Sequence, residues 1–329
     1  MRRSYLPARA LESEAHAFSV GSTGASGVLP RVKTEALNPS LSDNPEAQVA
    51  RVSVTPLAIA DQRVEAWDQC TSTYDVFAEA VTRPFAEDAI QLVRMPRHAQ
   101  VLDVAAGTGT FAFAAARRGA EVLATDFSPA MIERLGNKCR ALAMGNVRTA
   151  VMDGQALEIE DESFDVAGSL FGLMFFPDHD RGLRELLRVL RPGGQAVVAV
   201  WAAPKRVDLM GLLGEAAMMA MCDVPASSGT PHWAELMDSA PLTQRLRAVG
   251  FAHAHTIVVR HMWAFESAEY LAELLPSMTP AYAELVAQMP ADQRRAFFAA
   301  VADALRRRQG DGPFALTSEG LIAVGTKQR

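Results

Sequence analysis

Val101-Leu102-Asp103-Val104-Ala105-Ala106-Gly107-Thr108-Gly109-Thr110 is the stretch that decides the fold. An apolar run meets an acidic residue, passes through Gly-x-Gly and opens a helix. Strand, turn and helix in that order leave bare backbone at the carboxyl end of a parallel strand, where a nucleotide-like ligand can lie against it. Glycine at 107 and 109 removes Cβ atoms that would block the approach and permits the angles of a tight turn.

Outward from this stretch, strands and helices alternate as a parallel sheet requires. Strands are expected at Gln100 to Val104, Glu121 to Thr125, Val147 to Met152, Ser163 to Leu170 and Gln195 to Trp201, with helices at Thr110 to Arg118, Pro129 to Ala143 and His179 to Leu190. The last helix carries Leu183, Leu186, Leu187 and Leu190 at i, i+3, i+4 and i+7, and Pro192-Gly193-Gly194 is expected to stop it. Upstream, Val64, Trp67, Tyr74, Phe77 and Val81 read as one helix, and Pro84 is expected to begin another carrying Phe85, Ala89, Ile90 and Val93. Downstream, helical segments near Val207 to Cys222, Leu242 to Val249 and between Ala268 and Arg308 flank strands at His253 to Phe265 and Phe314 to Thr326. The expectation is an α/β, Rossmann-like fold: a seven-stranded, mostly parallel sheet with helices on both faces, the late helices forming a lid over the carboxyl ends of the strands.

The chain has 329 residues, 49% of them hydrophobic, enough to bury a full core. A net charge of -6 and the lack of a long basic run argue against a nucleic-acid partner. Arg306-Arg307-Arg308 closes a helix, where the dipole favours cations. No apolar run reaches the roughly 18 residues of a membrane span. Three scattered cysteines fit a reducing compartment, so a cytoplasmic location is expected. Residues 1 to 55 are rich in Ser, Ala, Gly and Pro and read as a flexible extension. Arg2, Arg3 and Arg9 leave an organelle transit peptide as the alternative, weakened by Glu12 and Glu14. Residues 56–329 then form one domain, divided into a helical cap (56–98), a cofactor-binding core (99–202) and acceptor-side helices with the last two strands (203–329).

Gly107-x-Gly109-x-x-Ala112 by itself also satisfies a nicotinamide fingerprint. Three carboxylates shift the balance. Asp103 precedes the glycine turn, where it would repel a pyrophosphate but suit a cofactor bearing an ammonium and a sulfonium. Asp126 closes the second strand, where a carboxylate accepts ribose hydroxyls in either cofactor class, and Asp153 closes the third, within reach of an adenine amino group. Each aspartate alone also fits a helix cap or turn residue.

Val101 to Ala112, Ala124-Thr125-Asp126-Phe127-Ser128-Pro129-Ala130-Met131, the Asp153 turn and Leu187-Leu-Arg-Val-Leu-Arg-Pro-Gly-Gly194 together resemble class I S-adenosylmethionine-dependent methyltransferases. The first of these segments and Ser169 to Asp178 are similar to the ubiquinone/menaquinone-biosynthesis type and its small-molecule relatives. The resemblance covers residues 65–202 well and the rest loosely. It implies S-adenosyl-L-methionine as cofactor, with Asp103, Ala105, Gly107 and Gly109 around the methionine moiety and Asp126 on the ribose. Phe127 and Met131 would lie against the adenine or ribose, Asp153, Gly154 and Gln155 at the adenine edge, Ser169 under the sulfonium, and Tyr74 closing over the cofactor.

A small organic acceptor is expected, a phenolic or quinone-like ring being one candidate, with oxygen, carbon and nitrogen targets all open. Ser169-Leu170-Phe171-Gly172 stands where enzymes acting on exocyclic amines commonly carry Asn/Asp-Pro-Pro-Tyr/Phe. The expected acceptor lining is Phe171, Met174, Phe175, Phe176, the Met218-Met219-Ala-Met221 cluster and His232-Trp233. His179 and His232 are the candidate general bases. His253-Ala-His255 lacks a carboxylate nearby, and no metal site is expected. The competing readings are a nicotinamide-dependent oxidoreductase and a cofactor-binding partner subunit without catalysis.

Overall fold

The computed structural model describes residues 60–220, 232–275 and 278–329. The extension expected over residues 1–55 lies outside the described residues.

Chain order is α1 (Val64–Leu92), β1 (Gln100–Val104), α2 (Thr110–Arg117), β2 (Glu121–Asp126), α3 (Pro129–Ala141), β3 (Val147–Val151), β4 (Phe164–Leu170), α4 (His179–Val189) and β5 (Leu190–Trp201). It continues with α5 (Asp208–Met219), α6 (Ser239–Val249), β6 (Ala252–Phe265), α7 (Ala268–Leu274), α8 (Pro280–Gln288), α9 (Ala291–Gln309) and β7 (Phe314–Thr326). One seven-stranded sheet has the order β3-β2-β1-β4-β5-β7-β6. β1 to β5 are parallel and β7 runs antiparallel to both β5 and β6, so the sheet is mixed and mostly parallel as expected. The order reverses between β1 and β4, and open α/β sheets bind ligands at the crevice such a reversal creates.

Alternation along the strands divides the core between two faces. Val101, Val122, Ala124, Val166 and Val197 pack on one side with Phe85 and Ile90 of α1, Phe111 of α2 and Leu135 of α3. Leu102, Val104, Ala167, Val198 and Leu321 pack on the other with Leu183 and Leu186 of α4 and Leu242 and Leu246 of α6. A third cluster joins α5, α7 and α9, through Leu212, Leu271, Val301 and Leu305, to Trp263 and Phe265 at the end of β6 and Phe314 and Leu316 at the start of β7. Because β7 is antiparallel, its start lies at the same sheet edge as the carboxyl end of β5. The late helices therefore gather at that edge, where a lid was expected.

Two expectations about boundaries fail. No second helix begins at Pro84, because α1 runs through it for 29 residues. Proline removes the N–H that would bond to the Ala80 carbonyl, but Ala80 lies on the exposed side, where its carbonyl is open to solvent. Phe85, Ala86, Ala89 and Ile90 beyond it are buried in the core, so packing holds the helix together across the lost bond. The second failure is at Pro192-Gly193-Gly194, which lies inside β5 rather than between helix and strand. Leu190 already pairs with Phe164, and Gly193 N–H donates to the Lys327 carbonyl (3.0 Å) while Lys327 N–H donates to Gly194 (2.9 Å). Chain beyond β7 supplies partners that a local reading cannot see.

Candidate active site

Two cavities open at the carboxyl edge of the sheet. The first, about 290 Å³, is lined by the Ala105 to Thr108 turn, Asp103, Asp126, Phe127, Met131, Asp153, Gly154, Gln155 and, from α1 and the turn before it, Tyr74, Trp67 and Asp61. Phe171, Phe175 and Phe176 complete it after β4. About half of the wall consists of residues the sequence singled out, whereas Gly109, expected beside the methionine moiety, is not part of it.

The glycine turn is fixed from two sides. Gly109 takes φ +97, and a Cβ there would sit 2.1 Å from Leu135, so both backbone and packing exclude a side chain. Gly107 takes φ +52, with space ending at the Tyr74 ring, 3.4 Å from where its Cβ would be. Gly109 caps α2 and has no side chain to satisfy the first N–H groups of that helix. Asp103 does so from β1: its Oδ2 accepts the Ala112 N–H at 2.9 Å.

The three aspartates hold backbone N–H groups and also line the first cavity. Asp126 Oδ2 accepts from Gly107 N–H (2.8 Å) and Oδ1 from Ser128 N–H (2.9 Å), while Asp153 Oδ1 accepts from Gln155 N–H (2.9 Å). Each is a turn or cap residue, and each also lines the first cavity. A carboxylate has about four acceptor positions, so these bonds leave lone pairs for a ligand. Burial pushes the Asp103 carboxyl up to about 8, with the Asp126 charge adding to the rise and the Ala112 bond opposing it. Burial likewise raises Asp126 to about 6 against the backbone bonds that favour its charge. No Lys or Arg lines this cavity among the described residues.

α1 crosses over the cavity, strapped to α3. Asp68 accepts the Ser128 hydroxyl (2.5 Å) and the Ala130 N–H (3.1 Å), and Asp75 accepts from Arg134 (3.0 Å) and Lys138 (2.6 Å). Burial alone would raise the Asp75 carboxyl, but its cationic partners outweigh that and hold it below the usual range. The straps hold Trp67 against Tyr74 (ring centroids 5.4 Å, edge to face) and Phe175 (5.6 Å). Burial raises the Tyr74 hydroxyl well above the usual phenol range, and the nearby Asp126 charge adds to it.

The second cavity, about 310 Å³, lies among α5, α8 and α9 and the strand ends. Its wall includes Met174, Trp201, Leu213, Trp263, Tyr282 and Phe297. Asp61 and Phe175 line both cavities. Asp61 is a residue the sequence did not single out. An aspartate ahead of a helix reads as a cap, and only the tertiary fold brings the start of α8 to it, where its Oδ1 accepts the Ala281 N–H at 2.9 Å.

Several expected residues lie elsewhere. Ser169 is fully buried and its hydroxyl accepts the Leu173 N–H at 3.0 Å, so it caps the turn after β4 instead of facing the cavity. His179 is buried at the start of α4 with Nε2 3.2 Å from the Met174 carbonyl, and it lines neither cavity. His232 opens the turn His232–Leu236, and its side chain lies outside the described residues, as does Met221. Met218 and Met219 are exposed on α5 and line neither cavity, Met218 standing opposite the apolar face that carries Leu209, Leu212 and Ala216. His253 and His255 are both exposed with Ala254 buried between them, beside a register shift in the pairing of β6 with β7, and neither lines a cavity. Among the described residues no cluster of potential metal ligands occurs.

A methyltransferase-domain family model matches residues 101–194, from the start of β1 into β5. An uncharacterized protein of Mycobacterium tuberculosis is 37% identical over 129 residues, 39% of this chain and 46% of that protein. A demethylmenaquinone methyltransferase of Clavibacter sepedonicus is 36% identical over 147 residues, 45% of this chain and 58% of the relative. The match thus spans about half the length of these curated relatives. Among solved structures, a Haemonchus contortus phosphoethanolamine N-methyltransferase bound to S-adenosylhomocysteine superposes with a TM-score of 0.53 at 16% identity, covering 84% of this chain and 61% of that one, a likeness of fold. Over residues 101–194, from the start of β1 into β5, the chain thus matches a methyltransferase domain.

Proposed function

We propose that the protein transfers a methyl group from S-adenosylmethionine to a small organic acceptor, with the cofactor in the first cavity and the acceptor in the second. The observation that carries the reading is charge: Asp61, Asp103, Asp126 and Asp153 line the first cavity, and among the described residues no cation joins them. A dinucleotide pyrophosphate would find no cation there and would meet the charge of Asp126, whereas a ligand carrying a sulfonium and an ammonium favours the ionised form of the buried carboxyls and gains from it. Asp103 and the Ala105 to Gly107 backbone would hold the methionine end, Asp126 the ribose hydroxyls, and Asp153 with Gln155 the adenine edge. Phe127, Met131 and Tyr74 supply the apolar walls.

When bound, the cofactor supplies an electrophilic methyl group. The protein's part is alignment and exclusion of water, since bringing acceptor and methyl carbon to about 3 Å in line supplies much of the barrier lowering. Trp67, Tyr74 and Phe175, packed together under the α1 straps, form an apolar wall on one side of the site. Its apolar and aromatic lining makes the second cavity fit for a hydrophobic, ring-bearing acceptor.

Calorimetry with S-adenosylmethionine, S-adenosylhomocysteine, NAD and NADP tests the reading. Saturable binding of the first two with no heat from the dinucleotides is expected. Binding of a dinucleotide in their place would overturn it.

A further inference from the structure

We infer that Asp61 takes the proton from a hydroxyl-bearing aromatic acceptor seated in the second cavity, an inference that rests on the methyltransferase reading above. Asp61 sits in the turn before α1 and is 6% exposed. It is the only carboxylate on the second cavity's wall among the described residues, and it also lines the first cavity, so it stands where acceptor and methyl donor would meet.

The remainder of the second wall favours one kind of ligand. Five aromatic side chains, Phe175, Trp201, Trp263, Tyr282 and Phe297, stand among aliphatic ones, which suits a flat apolar ring. Neutral molecules enter such a wall at lower desolvation cost than cations do. One buried carboxylate then reads one hydroxyl.

Asp61 is held in place for this. Ala281 N–H donates to Oδ1, the Thr279 hydroxyl donates to the same carboxyl, and the backbone carbonyl of Asp61 accepts the Trp67 indole N–H at 2.8 Å. Capacity remains for a further donor. In the step, the phenolic oxygen forms its bond to the methyl carbon as the carbon–sulfur bond breaks, its electron pair staying on sulfur. The phenolic proton passes to the Asp61 carboxylate, which returns it to solvent after the ether leaves.

Burial pushes the Asp61 carboxyl up to about 7, where a base is effective near neutral pH. The titratable groups around it are accounted for. Burial raises Tyr282 and Cys70 to about 12 and Tyr74 further, so none of them titrates near neutrality. Arg63 and Glu284 pair with each other beside it. Asp68 is engaged by Ser128 and Ala130, and Asp126 and Asp103, at about 6 and about 8, belong to the first cavity.

The purely structural alternative is that Asp61 only caps the start of α8. Asp61→Asn separates the two, because an amide oxygen still accepts the Ala281 N–H but takes no proton. The probe is 2-naphthol, followed without cofactor by quenching of Trp201 and Trp263 fluorescence and, with S-adenosylmethionine, by mass spectrometry of the methyl ether. Wild-type protein is expected to bind and methylate 2-naphthol, binding it more tightly above pH 7 than below. Asp61→Asn should bind S-adenosylmethionine more weakly but still saturably through Asp103, Asp126 and Asp153, and at saturating cofactor should lose the pH dependence of naphthol binding and about 100-fold in rate. Leu213→Trp, which fills the second cavity, should abolish naphthol binding and leave cofactor binding in place. A wild-type rate and pH profile in Asp61→Asn, naphthol binding that survives Leu213→Trp, or preference for 2-(2-naphthyl)ethylamine over 2-naphthol overturns the inference. Loss of S-adenosylmethionine binding in the wild type would instead sink the reading beneath it.

Discussion

Asp126, at the end of β2, accepts the Gly107 N–H at 2.8 Å and so ties the turn after β1 to the neighbouring strand. Its other oxygen accepts the Ser128 N–H and sets up the start of α3. One side chain thus holds two of the loops that make the first cavity, and it lines that cavity itself.

Asp126→Ala should weaken S-adenosylmethionine binding at least tenfold, the order expected when hydrogen bonds to a charged group are lost. Asp126→Asn keeps an acceptor for one backbone N–H and should fall between alanine and wild type. Calorimetry on both variants decides, and unchanged affinity in the alanine variant would show that the ribose lies elsewhere.

Substitutions at the two glycines should separate fold from binding. Gly109→Ala forces a Cβ to within 2.1 Å of Leu135 at φ +97 and is expected to cost about 2 kcal/mol or more. Gly107→Ala meets only the Tyr74 ring at 3.4 Å, costs about 1 kcal/mol of backbone strain, and should act mainly on cofactor affinity. Denaturant midpoints and cofactor titrations on the pair give the comparison.

Asp103 predicts a pH dependence of definite sign. Its folded value of about 8 lies above the ordinary aspartate value of about 4, so its contribution to stability is full in acid and is lost as pH rises from about 4 through 8. Melting curves of the unliganded protein should show Asp103→Asn gaining on wild type across that range. A cationic ligand favours the ionised carboxyl, so S-adenosylmethionine should bind wild type more tightly as pH rises toward 8, by up to about tenfold per pH unit for one proton released. In Asp103→Asn that part of the slope should vanish.

Ser169→Ala and His179→Gln should leave cofactor affinity and the pH–rate profile unchanged. Ser169→Ala strips the Leu173 N–H of its acceptor in a fully buried turn and should cost about 1–3 kcal/mol. A tenfold change in cofactor affinity for either variant would put these residues back in the site.

Much of the first cavity was legible because its residues are local to strand ends. Asp103, Asp126 and Asp153 sit one after another where three parallel strands stop, and the register of the sheet brings strand ends together without further information. Asp61 was not legible, since its neighbours Thr279 and Ala281 lie over 200 residues away. The exposed methionines of α5 misled because composition does not reveal which side of a helix is covered.

The sequence alone determined the alternation of strands and helices, the glycine turn and the acidic strand ends, because each rests on local backbone geometry and on side-chain periods of two and 3.6 residues. Tertiary structure decided the continuity of α1 through Pro84, the early start of β5, the strapping of α1 over α3 and the meeting of two cavities at Asp61. All of these depend on contacts between residues distant in the chain, whose energies local pattern does not encode.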